Sequence, residues 1–200
     1  MEERDVIKAA VQVLRDGGVV LYPTDTVWGL GCDATNPEAV AKVFALKRRP
    51  DSKSLVLLAS DMDMVCRYIK EVPEIAVQLV EVNDKPMTIV YPGARAAQAG
   101  AAPDRFLLAA NTVAEDGSVA IRVPLNEFCR KLLAALGRPL VSTSANISGQ
   151  PTPGNFDEIA AQVREAVDFT VDPAFGKGAT GKASSIIKVG LDASIEIIRK

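Results

Sequence analysis

The spacing of apolar residues alternates along the chain between a helical period and short continuous runs. Between residues 3 and 15, apolar side chains recur every three or four positions, and Gly17 follows as a stop signal. This spacing predicts a first amphipathic helix. The same reasoning predicts further helices after the cap pair 36–37, over 61–68, from 73 onward, over 128–136, and over 157–167.

Short apolar runs between these helices predict strands over 19–21, 55–59, 87–91, 118–123, 140–141, 184–189 and 195–199. In the run at 118–123, strict alternation puts Val119 and Ile121 on one face and Ser118 and Arg122 on the other. Strands that alternate with helices are typical of an α/β fold rather than an all-β fold.

Residues 92–117 form the least regular part of the sequence. They are rich in alanine and contain a short predicted helix over 105–110. A loop of this length within a compact domain is either functional or disordered, and composition does not decide between the two.

The chain is large enough for one hydrophobic core. Its 200 residues are 48% hydrophobic, which predicts a single domain over 1–200. No apolar run is long enough to span a bilayer, and residues 1–5 lack the cationic start of a signal peptide. A cytoplasmic location is therefore expected.

Composition excludes several kinds of chemistry. The sequence has no histidine, which excludes Ser-His and Cys-His nucleophile pairs and histidine metal sites. Cys32, Cys66 and Cys129 form no Cys-x-x-Cys pair, so we expect buried small apolar side chains rather than a zinc site or disulfide framework. No Walker-type phosphate loop occurs. The net charge of −2 argues against a large nucleic-acid footprint, although a local basic patch is compatible with it.

Polar side chains follow the first predicted strand. Thr24, Asp25 and Thr26 come where that strand ends, and open α/β sheets bind their ligands at such ends. Gly29 and Gly31 permit either a positive φ or a close approach of the backbone. The alternative is a tight turn whose side chains cap their own backbone.

Three cations occur at and just after the end of the second predicted helix, at Lys47, Arg49 and Lys53. Arginine binds phosphate through two hydrogen bonds and lysine as a point charge, so the group suits a polyphosphate. The alternative is that these cations complement the helix dipole and remain solvated.

Further along the chain, Arg122 is either a ligand for a carboxylate or a solvated edge residue. Ser142, Ser144 and Asn146 form a second polar strand end, or else a helix cap and turn. Trp28 is more typical of core packing than of a base-stacking platform.

Four motifs occur in order: Tyr-Pro-Thr-Asp-Thr-Val-Trp-Gly-Leu-Gly over 22–31, Lys47-x-Arg49-Pro50, Val-Ala-Ile-Arg-Val-Pro over 119–124, and Ser-Thr-Ser-Ala-Asn-Ile-Ser-Gly over 142–149. Together they resemble the YrdC-type threonylcarbamoyl-AMP synthases from about residue 19 to 153, and more weakly to the end. Each motif is modest, but four in order are specific.

The resemblance implies an α/β fold with an open, twisted, mixed sheet, flanking helices and a cationic concave face. It implies a nucleotidyltransferase that makes threonylcarbamoyl-AMP and pyrophosphate from L-threonine, bicarbonate and ATP. Mg²⁺ is expected to be held largely by the phosphates, without protein ligands. A tRNA-modifying threonylcarbamoyl transferase complex is the expected partner, together with a weak direct contact with tRNA.

The resemblance also implies roles by position. The family's Lys-x-Arg and Ser-x-Asn pairs fall on Lys47, Arg49, Ser144 and Asn146, which we take as the catalytic set. Threonine is expected at Thr26, Arg122 and Ser142, with the carboxylate at the arginine. ATP is expected at Arg49, Lys53, Ser118, Ser144, Thr152 and Arg199.

Three features depart from the family pattern. Some relatives carry a histidine that contacts threonine where this chain has Leu58, and Lys188 stands where an acidic residue is common. The chain ends at Lys200 without the additional C-terminal domain of longer relatives. By elimination, the loop over 92–117 is expected to supply any lid.

Two other functions compete with synthesis. A sheet face that binds RNA or tRNA without chemistry is disfavoured by the acidic composition. A carbamoyl-adenylate-forming domain, like those of hydrogenase maturation proteins, normally lies within a much longer chain.

Overall fold

A computed structural model describes residues 2–48 and 55–200. The helices in these residues are α1 (Glu3–Arg15), α2 (Pro37–Lys47), α3 (Met62–Tyr68), α4 (Glu74–Val82), α5 (Glu127–Leu136) and α6 (Ala161–Glu165). The strands are β1 (Val20–Tyr22), β2 (Gly29–Gly31), β3 (Val56–Leu58), β4 (Met87–Tyr91), β5 (Val119–Arg122), β6 (Leu140–Ser144), β7 (Phe169–Thr170), β8 (Ser185–Val189) and β9 (Ile195–Arg199). Within the described ranges, no helix is both long and apolar enough to cross a lipid bilayer.

The described strands form one open mixed sheet in the order β7-β1-β2-β6-β3-β5-β4-β8-β9. The pairs β1–β7, β3–β5 and β4–β8 are parallel, and the other neighbours are antiparallel. The α/β fold predicted from alternating strands and helices is confirmed.

One face of the sheet is half covered by helices. On β6, Leu140 packs with α1 and α5, whereas Ser142 and Ser144, two and four residues further along, reach the uncovered half. On β3, Leu58 packs under the helices and Val56 reaches the uncovered half. The two-residue period of the strands therefore extends one face from an apolar core into a polar wall.

Local signals fix the helix ends as the sequence predicts. The Asn36 side chain accepts hydrogen bonds from the backbone N–H groups of Glu38 and Ala39, and the Asp61 side chain caps α3. Gly137 ends α5 in a left-handed conformation at φ +73°.

The glycine stretch that was predicted as a turn contains strand β2. Neither Gly29 nor Gly31 has a positive φ, so close approach is the reason for both glycines. A Cβ at Gly31 would lie 2.3 Å from the carbonyl oxygen of Val141 and 2.7 Å from the Tyr22 ring. The Tyr22 hydroxyl lies across β2 and donates to that same carbonyl at 3.2 Å.

Two predicted helices differ from the structure. The helix predicted over 105–110 is absent from the described chain, where a single 3₁₀ turn occurs instead at Ala110–Thr112. Leu108 and Ala109 are buried, so tertiary packing fixes this loop. The helix predicted over 157–167 is reduced to α6, because the Asn155 side chain holds residues 157 and 158 in a turn.

Candidate functional site

A cavity of about 330 Å³ lies on the uncovered half of the sheet face. Hydroxyl groups, two arginines and a few apolar side chains line it. The lining residues are Thr24, Thr26, Val27, Trp28, Gly29, Leu55, Val56, Arg122, Ser142, Thr143, Ser144, Thr152, Ala183, Ser184, Ile186 and Arg199. The structure thus brings together six predicted site residues from four distant segments: Thr26, Arg122, Ser142, Ser144, Thr152 and Arg199.

Arg122 is the buried cation of this cavity, with 4% of its surface exposed. Its Nη1 donates to Asp25 Oδ1 at 2.7 Å and to Thr26 Oγ1 at 3.1 Å. The second Asp25 oxygen accepts from the backbone N–H of Leu125 at 2.9 Å. Both carboxylate oxygens of Asp25 are therefore engaged, and the guanidinium is fixed in place.

The Nε of Arg122 is buried and has no hydrogen-bond partner among residues 2–48 and 55–200. An unsatisfied buried donor costs roughly 1–3 kcal/mol. Arg122 also lines the cavity, so its guanidinium is placed to attract an anionic ligand there.

The orientation of the Thr26 hydroxyl follows from its neighbours. The Thr24 hydroxyl donates to the carbonyl of Val27 at 2.7 Å, so its 2.8 Å contact with Thr26 is a hydrogen bond that Thr26 donates. Thr26 Oγ1 also accepts from Arg122. The hydroxyl is therefore oriented before any ligand arrives.

Lys47 does not line the cavity. It is buried with 2% of its surface exposed, and its Nζ donates to the carbonyl of Ser144 at 2.6 Å. It also donates to the carbonyl of Asn146 at 2.7 Å and to Asn146 Oδ1 at 3.2 Å. The Ser144 hydroxyl donates to the same Oδ1 at 2.6 Å. The ammonium group thus holds together the chain turn that follows β6.

Several other predicted residues lie elsewhere. The Ser118 hydroxyl donates to Asp116 Oδ1 at 2.6 Å, and Ser118 is not among the described residues that line the cavity. Lys188 forms an ion pair with the other oxygen of Asp116 at 3.1 Å. Arg49 and Lys53 lie outside the described residues.

Leu58 stands opposite Arg122 in the pairing of β3 with β5, so both side chains lie on the same face of the sheet. It is fully buried in the apolar cluster beneath α1 and α5. The position therefore continues the core, and no polar contact with a ligand comes from it.

The C-terminal region also contributes to the lining of the cavity. Ser184 and Ile186 line the cavity, and Arg199 Nε donates to the carbonyl of Ser184 at 2.9 Å. The N–H groups of Thr180 and Gly181 bond the carbonyls of residues 25 and 26. No described residue of the 92–117 loop lines the cavity, and a role of this loop as its lid stays a prediction.

The cysteines are not reactive groups of this cavity. Burial raises the pKa of the Cys129 thiol, and the negative Asp25 nearby raises that pKa further. The thiol stays protonated and donates to the carbonyl of Pro23 at 3.1 Å. Cys32 is buried as expected, whereas Cys66 is exposed, so the expectation of burial is wrong there.

Trp28 packs in the core, as its residue type predicts. It is buried against Phe156, with ring centroids 4.9 Å apart, and it also lines the cavity. Local sequence patterns do not reveal that Asp25 pairs with Arg122 or that Ser184 lines the cavity. The polar turn over 24–26 was the signal available for Asp25, but its partner lies 97 residues away.

The sequence profile of the Sua5/YciO/YrdC family, described as "Telomere recombination", matches residues 12–200. The chain belongs to the Sua5/YciO/YrdC family. Among curated Sua5/YciO/YrdC relatives, the threonylcarbamoyl-AMP synthase of Escherichia coli (strain K12) is 37% identical over 174 residues, covering 86% of this chain and 85% of that protein. The threonylcarbamoyl-AMP synthase of Pseudoalteromonas translucida (strain TAC 125) is 32% identical over 179 residues, covering 88% and 90%.

Solved structures of Sua5/YciO/YrdC proteins have the same fold. The structure of P. abyssi Sua5 complexed with L-threonine matches with a TM-score of 0.77 at 28% identity. The match covers 94% of this chain and 52% of that one, so this chain spans about half the length of that Sua5. Escherichia coli YciO matches with a TM-score of 0.74 at 24% identity, covering 100% and 90%. The predicted family is confirmed.

Proposed function

We propose that the chain is a threonylcarbamoyl-AMP synthase, which makes threonylcarbamoyl-AMP and pyrophosphate from L-threonine, bicarbonate and ATP. The observation that carries this proposal is Arg122, a buried guanidinium that is fixed by Asp25 and lines a cavity rich in hydroxyl groups. The curated relatives of that name support the same activity.

The cavity suits a small hydroxylated amino acid. The Arg122 guanidinium is placed to bind its carboxylate, and Thr26 and Ser142 offer hydroxyl groups beside it. That the P. abyssi relative was crystallised with L-threonine supports this assignment.

The nucleotide belongs on the opposite side of the same cavity. We assign it to Ser144, Thr152 and Arg199, which line the cavity, and Arg199 is anchored through its bond to Ser184. Arg49 and Lys53 remain predicted phosphate ligands from the sequence motif. In this proposal Lys47 does not contact a substrate but positions Ser144, because it donates a hydrogen bond to the carbonyl of Ser144.

The reaction needs no covalent enzyme intermediate. The amine of threonine attacks carbon dioxide and loses a proton, or attacks bicarbonate with loss of water, and either route forms a carbamate. A carbamate oxygen then attacks the α-phosphorus of ATP, and the bond from that phosphorus to the oxygen of the leaving pyrophosphate breaks. Positioning and charge neutralisation accelerate such transfers, which is consistent with a chain that contains no histidine.

The donor set of the cavity suits Mg²⁺ held by phosphates rather than by carboxylates. No Asp or Glu occurs among the described lining residues, and both oxygens of nearby Asp25 are engaged. The described residues also contain no cluster of three or more acidic or thiol ligands. We propose that Mg²⁺ arrives with ATP and neutralises charge on its phosphates. A tRNA-modifying threonylcarbamoyl transferase is the proposed consumer of the product.

Mass spectrometry of the reaction mixture tests this function. With ATP, L-threonine and ¹³C-bicarbonate, we expect threonylcarbamoyl-AMP carrying one heavy carbon, together with pyrophosphate release. Omitting threonine is the control and should abolish both signals. Absence of the adduct from folded protein would reject the proposal, and an adduct formed from carbamoyl phosphate without threonine would instead favour carbamoyl-adenylate formation.

A further inference from the structure

A second cavity, of about 980 Å³, shares no lining residue with the first. Five arginines line it: Arg15, Arg67, Arg95, Arg105 and Arg138. Among the described residues that line this arginine cavity there is no Asp or Glu. The whole sequence contains 23 Lys and Arg against 25 Asp and Glu, so this concentration of positive charge is local.

The fold assembles the arginine cavity from separate segments. Arg15 ends α1, Arg67 lies in the last turn of α3, and Arg138 follows α5. The other two arginines come from the 92–117 loop, whose role the first cavity left unexplained. Five positive charges from distant parts of the chain therefore meet at one place.

Backbone hydrogen bonds hold both loop arginines in position. The N–H of Arg95 donates to the carbonyl of Tyr68 at 2.7 Å, and its carbonyl accepts from Leu108 at 2.8 Å. The Tyr68 hydroxyl donates to the carbonyl of Arg105 at 2.6 Å. The loop is thus fixed where its arginines enter the cavity.

Most of these arginines have no ion-pair partner among the described residues. Arg138 forms an ion pair with the buried Asp33, whereas the other four arginines have no carboxylate within ion-pair distance in the described parts of the chain. Arg15 and Arg95 donate to backbone carbonyls at 3.1 and 3.3 Å, which leaves their charge in place. Like charges gathered around a concave surface repel one another and attract anions.

An aromatic ring lies among these charges. Phe106 is 64% exposed, and the Arg105 guanidinium carbon lies 4.6 Å from its ring centroid. An exposed ring beside guanidinium groups is a stacking surface for a planar base. Phosphate groups and a planar base occur together in nucleotides.

We propose that the arginine cavity is a second binding site, which takes a nucleotide through two or more phosphates and stacks its base on Phe106. The same chemistry is presented by a free nucleoside triphosphate and by the nucleotide units of single-stranded RNA. The site is separate from the first cavity, which we call the synthase cavity because we assign the synthase reaction to it. The test of the second site measures binding and not activity.

Binding measurements on matched variants test this proposal. The probes are GTP, followed by calorimetry, and a fluorescein-labelled single-stranded RNA octamer, followed by anisotropy. Arg67→Ala/Arg105→Ala should weaken binding of at least one probe roughly tenfold or more and should lower its salt dependence. Arg4→Ala/Arg130→Ala removes the same charge from exposed helical positions outside both cavities, and should change affinity less than about twofold. The probe that responds identifies the source of the nucleotide.

A third variant separates stacking from charge. Phe106→Ala should weaken the responding probe about threefold or more while leaving inorganic tripolyphosphate binding unchanged. All these positions are exposed, so circular dichroism melting should show intact folds. Equal losses in the two double variants, no binding of either probe to wild type, or equally tight binding of a polyglutamate peptide would overturn the proposal.

Discussion

Arg122 in the first cavity and Arg67 and Arg105 in the second are held in opposite ways. In the synthase cavity, Arg122 is buried, and Asp25 and Thr26 bind its Nη1. In the arginine cavity, Arg67 and Arg105 are exposed, and no carboxylate pairs with either in the described chain. Desolvation explains the difference, because a buried charge needs a partner whereas water stabilises an exposed one. The buried Arg122 therefore depends on its counter-ion Asp25, whereas water stabilises the charge of Arg67 and Arg105.

Replacement of the buried arginine should have the largest effect. Arg122→Met leaves the Asp25 carboxylate buried without its counter-charge, so we expect the free energy of unfolding to fall by about 3–5 kcal/mol. Urea unfolding followed by circular dichroism measures this loss. The double variant Asp25→Asn/Arg122→Met should recover a large part of it, and a single-variant loss below about 1 kcal/mol would contradict the description of this pair.

Replacement of Lys47, a second buried cation, should cause the next largest loss of stability. Lys47→Met removes the ammonium group that bonds the carbonyls of Ser144 and Asn146, so we expect a loss of about 1.5–3 kcal/mol in unfolding free energy. Lys42→Met is the matched control, since within residues 2–48 and 55–200 Lys42 makes one hydrogen bond, to the carbonyl of Gly17. If both lysine variants lose the same stability, Lys47 has no special role in holding the turn.

A milder change at the buried arginine should separate the two substrates. Arg122→Lys keeps the charge but loses the fork of guanidinium donors, so the KM for threonine should rise by roughly 10–100-fold. The KM for ATP should stay within about twofold, because the nucleotide is assigned to the other side of the cavity. Steady-state pyrophosphate release measures both constants, and equal increases would remove the carboxylate role from Arg122.

The exposed arginines should contribute little to stability. Arg67→Ala/Arg105→Ala removes two unpaired surface charges, so the free energy of unfolding should change by less than about 0.5 kcal/mol. Relief of mutual repulsion should make the change neutral or slightly stabilising at low salt. Urea unfolding at low and high salt checks this, and a loss comparable to that of Arg122→Met would abolish the contrast between the cavities.

An exposed ion pair should also contribute little to stability, and its contribution should depend on pH. Hydrogen bonds from Ser118, with the ion pair to Lys188, lower the pKa of Asp116 to about 2. A lowered folded-state pKa stabilises the protein above the unfolded-state value of about 4, and this contribution disappears as pH falls toward 2. Asp116→Asn should therefore cost less than about 1 kcal/mol at pH 7, because the pair is exposed. Urea unfolding should show a smaller difference in unfolding free energy between wild type and Asp116→Asn at pH 3 than at pH 7. If the difference is the same at both pH values, it comes from the size or the hydrogen bonds of the side chain and not from its charge.

Local signals in the sequence predicted most of the fold, and long-range pairs accounted for most errors. Asn36 and Asp61 predicted the starts of α2 and α3 correctly, because a capping side chain bonds backbone groups only two or three residues away. Strand β2 was missed because its glycines serve contacts with Tyr22 and Val141, which no local pattern reports.

In the candidate site, too, local motifs predicted individual residues but not the pairs formed between distant segments. Motif positions identified Arg122, whereas its bond to Asp25 spans 97 residues and requires the folded sheet. The family resemblance assigns Ser118 to the nucleotide side, and in the structure its hydroxyl bonds Asp116 two residues earlier. The Asp-Gly-Ser sequence favours such a local turn bond, whereas a contact with the nucleotide stays a prediction.

The absence of a side chain at Gly31 has a consequence for how this protein can vary. One added methyl group would have to displace the Val141 carbonyl, and with it the strand that carries Ser142 and Ser144. Position 31 therefore sets the distance between two walls of a cavity that it does not itself line. Substitutions there should alter the width available to substrates, although no substrate atom would ever touch the residue that was changed.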